Sequence, residues 1–275
     1  MLRLLPKDNM PNGSIIRKLP EIELSTADDK HYTLKNGPLY RAGFLLLGIP
    51  HLGWRTRARI IMGEMRKAPL DAKVLDAGCG YGIYSMMLGD KGFSVDAIDI
   101  DPDRIAAFKK SLDSLPKARA HVTPMVASLT KLPFQDASYD RIVCPEVVEH
   151  IADDTAAIKE LARVLTPGGK LIFTVPAWSA FNAGFYKQFA HERPGYRYPE
   201  LAERFRSFGL EPEKAFFYEY RLGTKVFMFY NSLRSKALMG LAFYPCYWLH
   251  RLDYHLKRGE PNYLAIIAKK SSTGL

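Results

Sequence analysis

The chain of 275 residues lacks a hydrophobic run long enough to span a bilayer. Its aromatic-rich, uncharged run at residues 237–249 falls short of the roughly 20 apolar residues that a spanning helix needs, and Pro245 breaks it. Cysteine is scarce. Cys79, Cys144 and Cys246 are odd in number and no pair has metal or redox spacing, which excludes a disulfide framework and points to a reducing compartment. Residues 1–13 lack the apolar core of a signal peptide, so a cytoplasmic location is expected. Acids are outnumbered, 29 against 39 Lys and Arg, for a net charge of +10. That excess suits an anionic membrane surface, nucleic acid or an acidic substrate without choosing among them. The Gly-x-Gly-x-x-Gly spacing of a dinucleotide fold is also missing.

What is present is a strand, a glycine turn, a helix and a second strand. Residues 74–82 read Val-Leu-Asp-Ala-Gly-Cys-Gly-Tyr-Gly, an apolar strand that breaks into Gly78, Gly80 and Gly82. A helix can start at once over residues 83–88, and residues 93–99 form another strand ending in Asp99. Such a unit can cradle a nucleoside. A Cβ at the glycines would hold the ligand off the backbone, the helix N-terminus offers free N–H groups, and Asp99 can accept from both hydroxyls of a ribose.

The pattern Asp76-x-Gly78-x-Gly80-x-Gly82 resembles the first motif of class I S-adenosylmethionine-dependent methyltransferases, in particular the ubiquinone/menaquinone and lipid type. The resemblance implies an α/β, Rossmann-like class I fold: a seven-stranded, mostly parallel sheet with helices on both faces. It implies that Asp76 and the glycine backbone hold the methionine part of S-adenosyl-L-methionine, and that Asp99, with Ile100 beside it, holds the ribose. Residues 128–144 look like the family phrase Leu-Pro-Phe-x-Asp-x-Ser-Tyr-Asp. Ser128 stands where the family has an Asp for the adenine amine and accepts more weakly. Leu129 would supply an apolar face for adenine. The phrase Leu-x-Pro-Gly-Gly-x-Leu at residues 165–171 is also familiar from this family.

Taken in order, residues 1–70 read as an arm, with a short strand near 21–24, and cap helices on either side of Pro50. The second of these carries Arg55, Arg57, Arg59 and Arg66, which either meet an acidic group or form a solvated face. Residues 71–220 are the cofactor-binding core. A helix is expected over residues 101–114, strands over 121–127, 139–144 and 170–175, and a helix from Asp153 to Leu165 ended by Thr-Pro-Gly-Gly. Residues 177–198 read as a loop, followed by a helix over 199–208 and a strand over 213–220. Residues 221–261 are a helical aromatic and basic insertion, and residues 262–275 hold the last strand and tail.

The fourth strand runs into Pro145-Glu146-Val-Val-Glu149-His150, where ligands of open α/β sheets sit. Glu146, Glu149 and His150 are all candidate bases, and His150 is preferred because imidazole titrates near neutrality. The alternative is that His150 braces the next helix. Glu-x-x-Glu-His is similar to the metal site of some methyltransferases of RNA 3′ ends and ubiquinone precursors, so Glu146, Glu149 and His150 could hold a divalent ion with His191 as a further ligand. Relatives without metal share the phrase, and a metal-free site is the preferred expectation. The loop His191-Glu-Arg193-Pro-Gly-Tyr196-Arg197-Tyr198 loosely resembles a substrate-side loop of lipid and envelope methyltransferases. Its cations and rings could receive an anionic or amphiphilic acceptor, or simply pack on the surface.

The insertion combines apolar bulk, aromatics and flanking cations, as a helix pair lying in a membrane interface would, peripheral on the cytoplasmic membrane. A lid or a dimer contact is the alternative. Three functions compete: methyl transfer to a small-molecule or lipid-like acceptor, which is favoured; nucleic-acid methylation, disfavoured because the fourth strand ends in Cys-Pro-Glu rather than Asn/Asp-Pro-Pro-aromatic; and a non-catalytic, membrane-associated cofactor-binding protein.

Overall fold

The structure, a computed structural model, describes residues 52–233 and 236–272. The strand expected near residues 21–24 and the first cap helix lie outside them. The second cap helix is α1 (Leu52–Met65). There follow β1 (Lys73–Ala77), α2 (Ile83–Lys91), β2 (Ser94–Asp99), α3 (Pro102–Asp113), α4 (Pro116–Arg119), β3 (Val122–Val126) and β4 (Tyr139–Pro145). The second half holds α5 (Asp154–Val164), β5 (Leu165–Pro176), α6 (Ala180–Phe185), α7 (Tyr198–Ser207), β6 (Leu210–Tyr218), α8 (Arg221–Ser232), α9 (Lys236–Leu256) and β7 (Tyr263–Lys270).

The seven strands form one sheet in the order β3-β2-β1-β4-β5-β7-β6. The first five are parallel, and β7 runs antiparallel between β5 and β6. Helices cover both faces, so β1, β5 and β7 can be apolar on both sides rather than alternating. Ile61, Met86 and Phe108 fill one face, and Leu161, Phe173 and Phe205 the other. Helix starts follow their caps. The Asp101 side chain accepts from the N–H groups of Asp103 and Arg104, with Pro102 in the first turn, and Asp153 accepts from Ala156.

Three expectations change. Residues 166–169 do not end a helix in a turn. Helix α5 stops at Val164 and β5 begins at once, its Leu165 opposite Tyr139, with the register shift before Arg141↔Lys170 absorbing the Thr-Pro-Gly-Gly residues. Residues 177–198 are not all loop. The Ser179 hydroxyl caps α6 by accepting from Asn182 at 3.1 Å, and the Asn182 amide donates to the carbonyls of Ala177 and Asn262 at 2.8 Å each. Pro245 does not break the insertion, because α9 runs through it. Beyond the proline, buried Cys246, His250 and Asp253 hold the next turns in place.

Insertion helices α8 and α9 form a hairpin tied to the core by buried polar groups. The Asp253 carboxylate accepts from the N–H of Tyr220 at 2.6 Å and of Leu222 at 3.1 Å, satisfying donors at the start of α8. His250 lies 3.3 Å from Glu219. The arginine row of α1 is not a solvated face. The Arg59 guanidinium donates to the Tyr247 hydroxyl of α9, and Arg55 lies 5.0 Å from the centre of the same ring.

Candidate active site

Strand β1 ends at Ala77 and the glycine turn leads into α2. Gly78 and Gly82 have φ of 79° and 77°, and a Cβ there would fall 2.3 Å from Val147 and 2.1 Å from Phe108. These two glycines serve close packing. Gly80 differs: with φ of 54°, its Cβ would meet nothing within 4 Å. The seat that sequence spacing spread over three glycines therefore narrows to Gly80, which faces open space.

Two acids flank it. Asp99 is buried at the end of β2, accepting from the N–H of Gly80 at 2.9 Å and of Asp101 at 3.0 Å. Each oxygen keeps a lone pair beyond these bonds. Ile100, 70% exposed, stands beside it as an uncovered apolar side chain. Across β3, the Ala127 N–H donates to the Asp99 carbonyl, which brings Ser128 and Leu129 to the same end of the sheet. The Ser128 hydroxyl is already engaged with Thr130 in its own turn, and Leu129 is buried in the core. Ile100, expected beside the ribose acid, is left open to a ligand.

Asp76 is wholly buried on β1. Its Oδ2 accepts from the Ser85 hydroxyl at 2.5 Å, while Oδ1 has no partner. Burial pushes its pKa up to about 7, with Asp99 adding to the effect and Ser85 opposing it. A buried acceptor without a donor is costly. An ammonium group in the crevice would supply the donor that Asp76 is missing. That orphaned oxygen, the open space at Gly80 and the Asp99 carboxylate fit S-adenosylmethionine, whose cationic amino-acid end and ribose need such partners.

Glu146 follows β4 with φ of 58°. Its Oε1 accepts from the Thr174 hydroxyl at 2.8 Å, and its Oε2 lies 3.6 Å from the guanidinium of Arg57 on α1. Burial raises the Glu146 pKa against both partners, and Glu146 in turn holds Arg57 above its ordinary value despite the cost of burying it. Arg57 lies 5.5 Å from the Tyr263 ring centre, and Tyr263 stacks on Tyr218 at 5.2 Å. The Tyr218 hydroxyl is buried without a partner. Arg57 appeared in the sequence only as one of a row, and Thr174, Tyr218 and Tyr263 did not stand out at all. Their common trait, falling at the carboxyl-end rim of the sheet, becomes visible only once strand order is known.

Glu149, His150 and His191 form a second cluster, their ligand atoms within 4.8 Å of one another. Glu149 is fully buried with neither oxygen partnered, so its carboxyl is held well above the usual range by burial and by Glu146. The His150 and His191 rings meet edge to face at 4.8 Å, and His150 Nδ1 lies 3.0 Å from the Ala190 carbonyl. Burial and the neighbouring His150 lower the His191 pKa to about 4, leaving it neutral at neutral pH. Two expectations shift here. Glu146 does not join Glu149 and His150, because Thr174 and Arg57 hold it; His191 takes its place. Arg193 is not free to receive an acceptor, because it donates to the carbonyls of Ile151 and Ala152 and pairs with Asp154 at 2.5 Å. It carries His191 to His150 instead.

Residues 75–173 match a family described as a methyltransferase domain. With the Gly80 seat between Asp76 and Asp99, that decides the assignment. Residues 75–173 are a methyltransferase domain, set in a sheet of the class I fold. Among curated proteins, the ubiquinone biosynthesis O-methyltransferase of Xanthomonas axonopodis pv. citri is 38% identical over 110 residues, 40% of this chain and 45% of that one. The demethylmenaquinone methyltransferase of Beutenbergia cavernae is 32% identical over 135 residues, 45% of this chain and 53% of that one. The chain thus spans about half the length of the curated relatives it matches. Among solved structures, geranyl diphosphate C-methyltransferase from Streptomyces coelicolor superposes with a TM-score of 0.60 at 18% identity, covering 79% of each chain. The [4+2]-cyclase SpnF does so at 0.58 and 18%, covering 79% of this chain and 82% of its own. A methyltransferase domain and a cyclase share this fold, so the reaction must be argued from the site.

Proposed function

We propose that this chain transfers the methyl group of S-adenosylmethionine to a hydroxyl of a small, amphiphilic acceptor of quinone-precursor type. The unsatisfied Asp76 Oδ1 beside open Gly80 carries the proposal, because a buried carboxylate oxygen without a donor suits the ammonium group of that cofactor. The acceptor class is supported by the names of the curated relatives. The cofactor supplies both the methyl group and the leaving group.

The protein's share is alignment and proton removal. Bound cofactor would supply the methyl carbon and take the electron pair of the broken bond on its sulfur, and a base of this chain would take the hydroxyl proton. His150 suits that role. With its Nδ1–H donated to the Ala190 carbonyl, Nε2 is left to take the proton. Arg57, Tyr218 and Tyr263 offer the acceptor a guanidinium, an unpaired hydroxyl and ring faces. Radiolabelled cofactor, offered lipid, quinone and small-metabolite extracts, tests this: label should enter an extractable amphiphile, and label entering only RNA or DNA, or nothing, would overturn it.

A metal-assisted variant is favoured by one observation, the doubly unpartnered Glu149 carboxyl beside two imidazoles. Glu149, His150 and His191 would hold a divalent ion, which lowers the pKa of a bound hydroxyl. Calorimetric binding of Mn²⁺ or Zn²⁺ that is lost in His191→Ala supports it; equal binding by that variant would dismiss it.

The place of reaction belongs to the same proposal. Leu238, Leu241, Tyr244, Trp248, Leu252 and Leu256 of α9 are 43–78% exposed and recur every three or four residues. They form an exposed apolar stripe, with Arg251 beside it and Lys257 and Arg258 just past its end. No helix among the described residues is long and apolar enough to cross a membrane. The stripe is suited to lying in an anionic interface, where an amphiphilic acceptor would be met.

A further inference from the structure

A cavity of about 570 Å³ is lined by Phe181, Arg221, Lys225, Met228, Glu260 and Asn262 among others. It shares no lining residue with the Asp76–Gly80–Asp99 seat or with the histidine cluster. Arg221, Lys225 and Met228 follow one another at steps of four and three residues, so they occupy one face of α8. The other face is closed: Val226 and Tyr230 are buried, and Gly223 has no room for a Cβ beside Asp253.

The charges of this groove are unbalanced. Glu260 is its one acid, and that carboxylate accepts from the Ala180 N–H at 2.8 Å. Among the described residues, neither Arg221 nor Lys225 has a carboxylate within 4 Å. Exposed Lys257 and Arg258 precede Gly259 of the lining and add positive field. Yet the walls are mainly apolar, and Met228 and Phe229 continue the surface at 47% and 57% exposure. Cations at a mostly apolar groove match a molecule with an anionic head and a greasy tail.

The geometry points to a lipid site: the groove binds the phosphate head group of an anionic glycerophospholipid, with Arg221 and Lys225 on the phosphate oxygens and the first acyl carbons along Phe181 and Met228. This sharpens the interfacial placement of the α8–α9 hairpin but stands on the groove's own lining, and is independent of methyl transfer. It turns a general attraction for anionic surfaces into a defined contact beside the active domain.

The test uses the full chain and a short-chain lipid, dihexanoyl phosphatidic acid, kept below its micelle-forming concentration. Calorimetric titration should show binding that weakens about 30-fold in the double variant Arg221→Gln/Lys225→Gln, since each cation near a lipid phosphate is worth about fivefold. The conservative pair Arg221→Lys/Lys225→Arg should keep it within a fewfold, which separates lost charge from lost folding. Inorganic phosphate and dihexanoyl phosphatidylcholine should each bind at least tenfold more weakly. Unchanged affinity in the glutamine variant, phosphate binding as well as the lipid, or equal affinity for the choline lipid would each overturn the site. Vesicles with and without phosphatidic acid distinguish the two ideas. Short-chain lipid bound without any vesicle pelleting would sink the interfacial placement and leave the groove; pelleting without short-chain binding would sink the groove alone.

Discussion

In the crevice, polar groups are buried and short of partners; on the α8–α9 hairpin, apolar side chains are exposed and short of cover. Asp76 Oδ1 lies in the core with no donor, while Leu241 of α9 is 78% exposed. Both arrangements are unfavourable for a chain alone in water, and each is relieved by a different kind of molecule. A cationic nucleoside would satisfy the first and, on the interfacial placement proposed above, a lipid surface the second. The match to the methyltransferase family ends at residue 173, before the hairpin begins. On the function proposed above, methyl transfer falls to the crevice, which lies largely within the matched part, and the meeting with a lipid surface to the hairpin outside it.

The largest effects should fall in the crevice and leave the hairpin untouched. Asp99→Ala removes a carboxylate that can accept from both ribose hydroxyls and also frees the N–H groups of Gly80 and Asp101. Cofactor affinity should drop about 100-fold by calorimetry, since hydrogen bonds to a charged group are worth about 1.5–3 kcal/mol each. Vesicle pelleting should not change. Intact affinity would move the nucleoside elsewhere, and a parallel loss of pelleting would show the regions to be coupled.

A converse variant attacks the hairpin. Leu241→Asp with Trp248→Asp places two charges on the exposed stripe. Sedimentation with anionic vesicles should fall at least tenfold, because each charged residue opposes interfacial burial of apolar area. Cofactor affinity should stay within twofold. If pelleting survives, the stripe is covered by something other than lipid.

How much of this contrast could be read beforehand follows from the range of the interactions. The first five strands and Asp99 are written in local patterns: apolar runs, a glycine turn, an acid at a strand end. The roles within the glycine triplet were not, because only the folded chain brings Val147 to Gly78 and Phe108 to Gly82. Likewise His191 replaces Glu146 beside Glu149 because Arg193 ties its loop to the Ile151 and Ala152 carbonyls, a contact more than 40 residues long in sequence. The arginines of α1 alternate in sequence, yet one meets Glu146 while Arg55 and Arg59 meet Tyr247 nearly 190 residues away. Residue type announced each of these groups; partner and role came from long-range packing.

Gly82→Ala measures the packing role directly. Its Cβ would sit 2.1 Å from the Phe108 ring at a φ of 77°, so thermal or urea unfolding should show a loss of about 2–4 kcal/mol. Gly80→Ala, with open space beside it, should cost about 1 kcal/mol for its positive φ and act mainly on cofactor affinity. Equal stability losses at the two positions would erase the distinction between the packing glycine and the ligand-facing one.

The mildest and most specific effect is a pH dependence set by Asp76. In the free protein its pKa stands near 7, far above the ordinary 3.8, so the native state holds a proton that the unfolded chain releases. That contribution to stability is complete below about pH 4 and fades as pH rises towards 7. A cationic ligand at Oδ1 reverses the preference by stabilising the carboxylate. Below pH 7 binding must expel the proton; above it, none is left to expel. Cofactor affinity should therefore rise about tenfold from pH 6 to 8 and level off, with a proton released at pH 6 that calorimetry in buffers of different ionisation enthalpy can count. Asp76→Asn should bind more weakly and flatten both the affinity and the stability profiles. A wild-type profile already flat would mean that the buried carboxylate does not face the cofactor's charge. The hairpin's proposed vesicle binding, measured in a His255→Gln variant that removes its exposed imidazole, should show no step over the same range, so one titration separates the two regions.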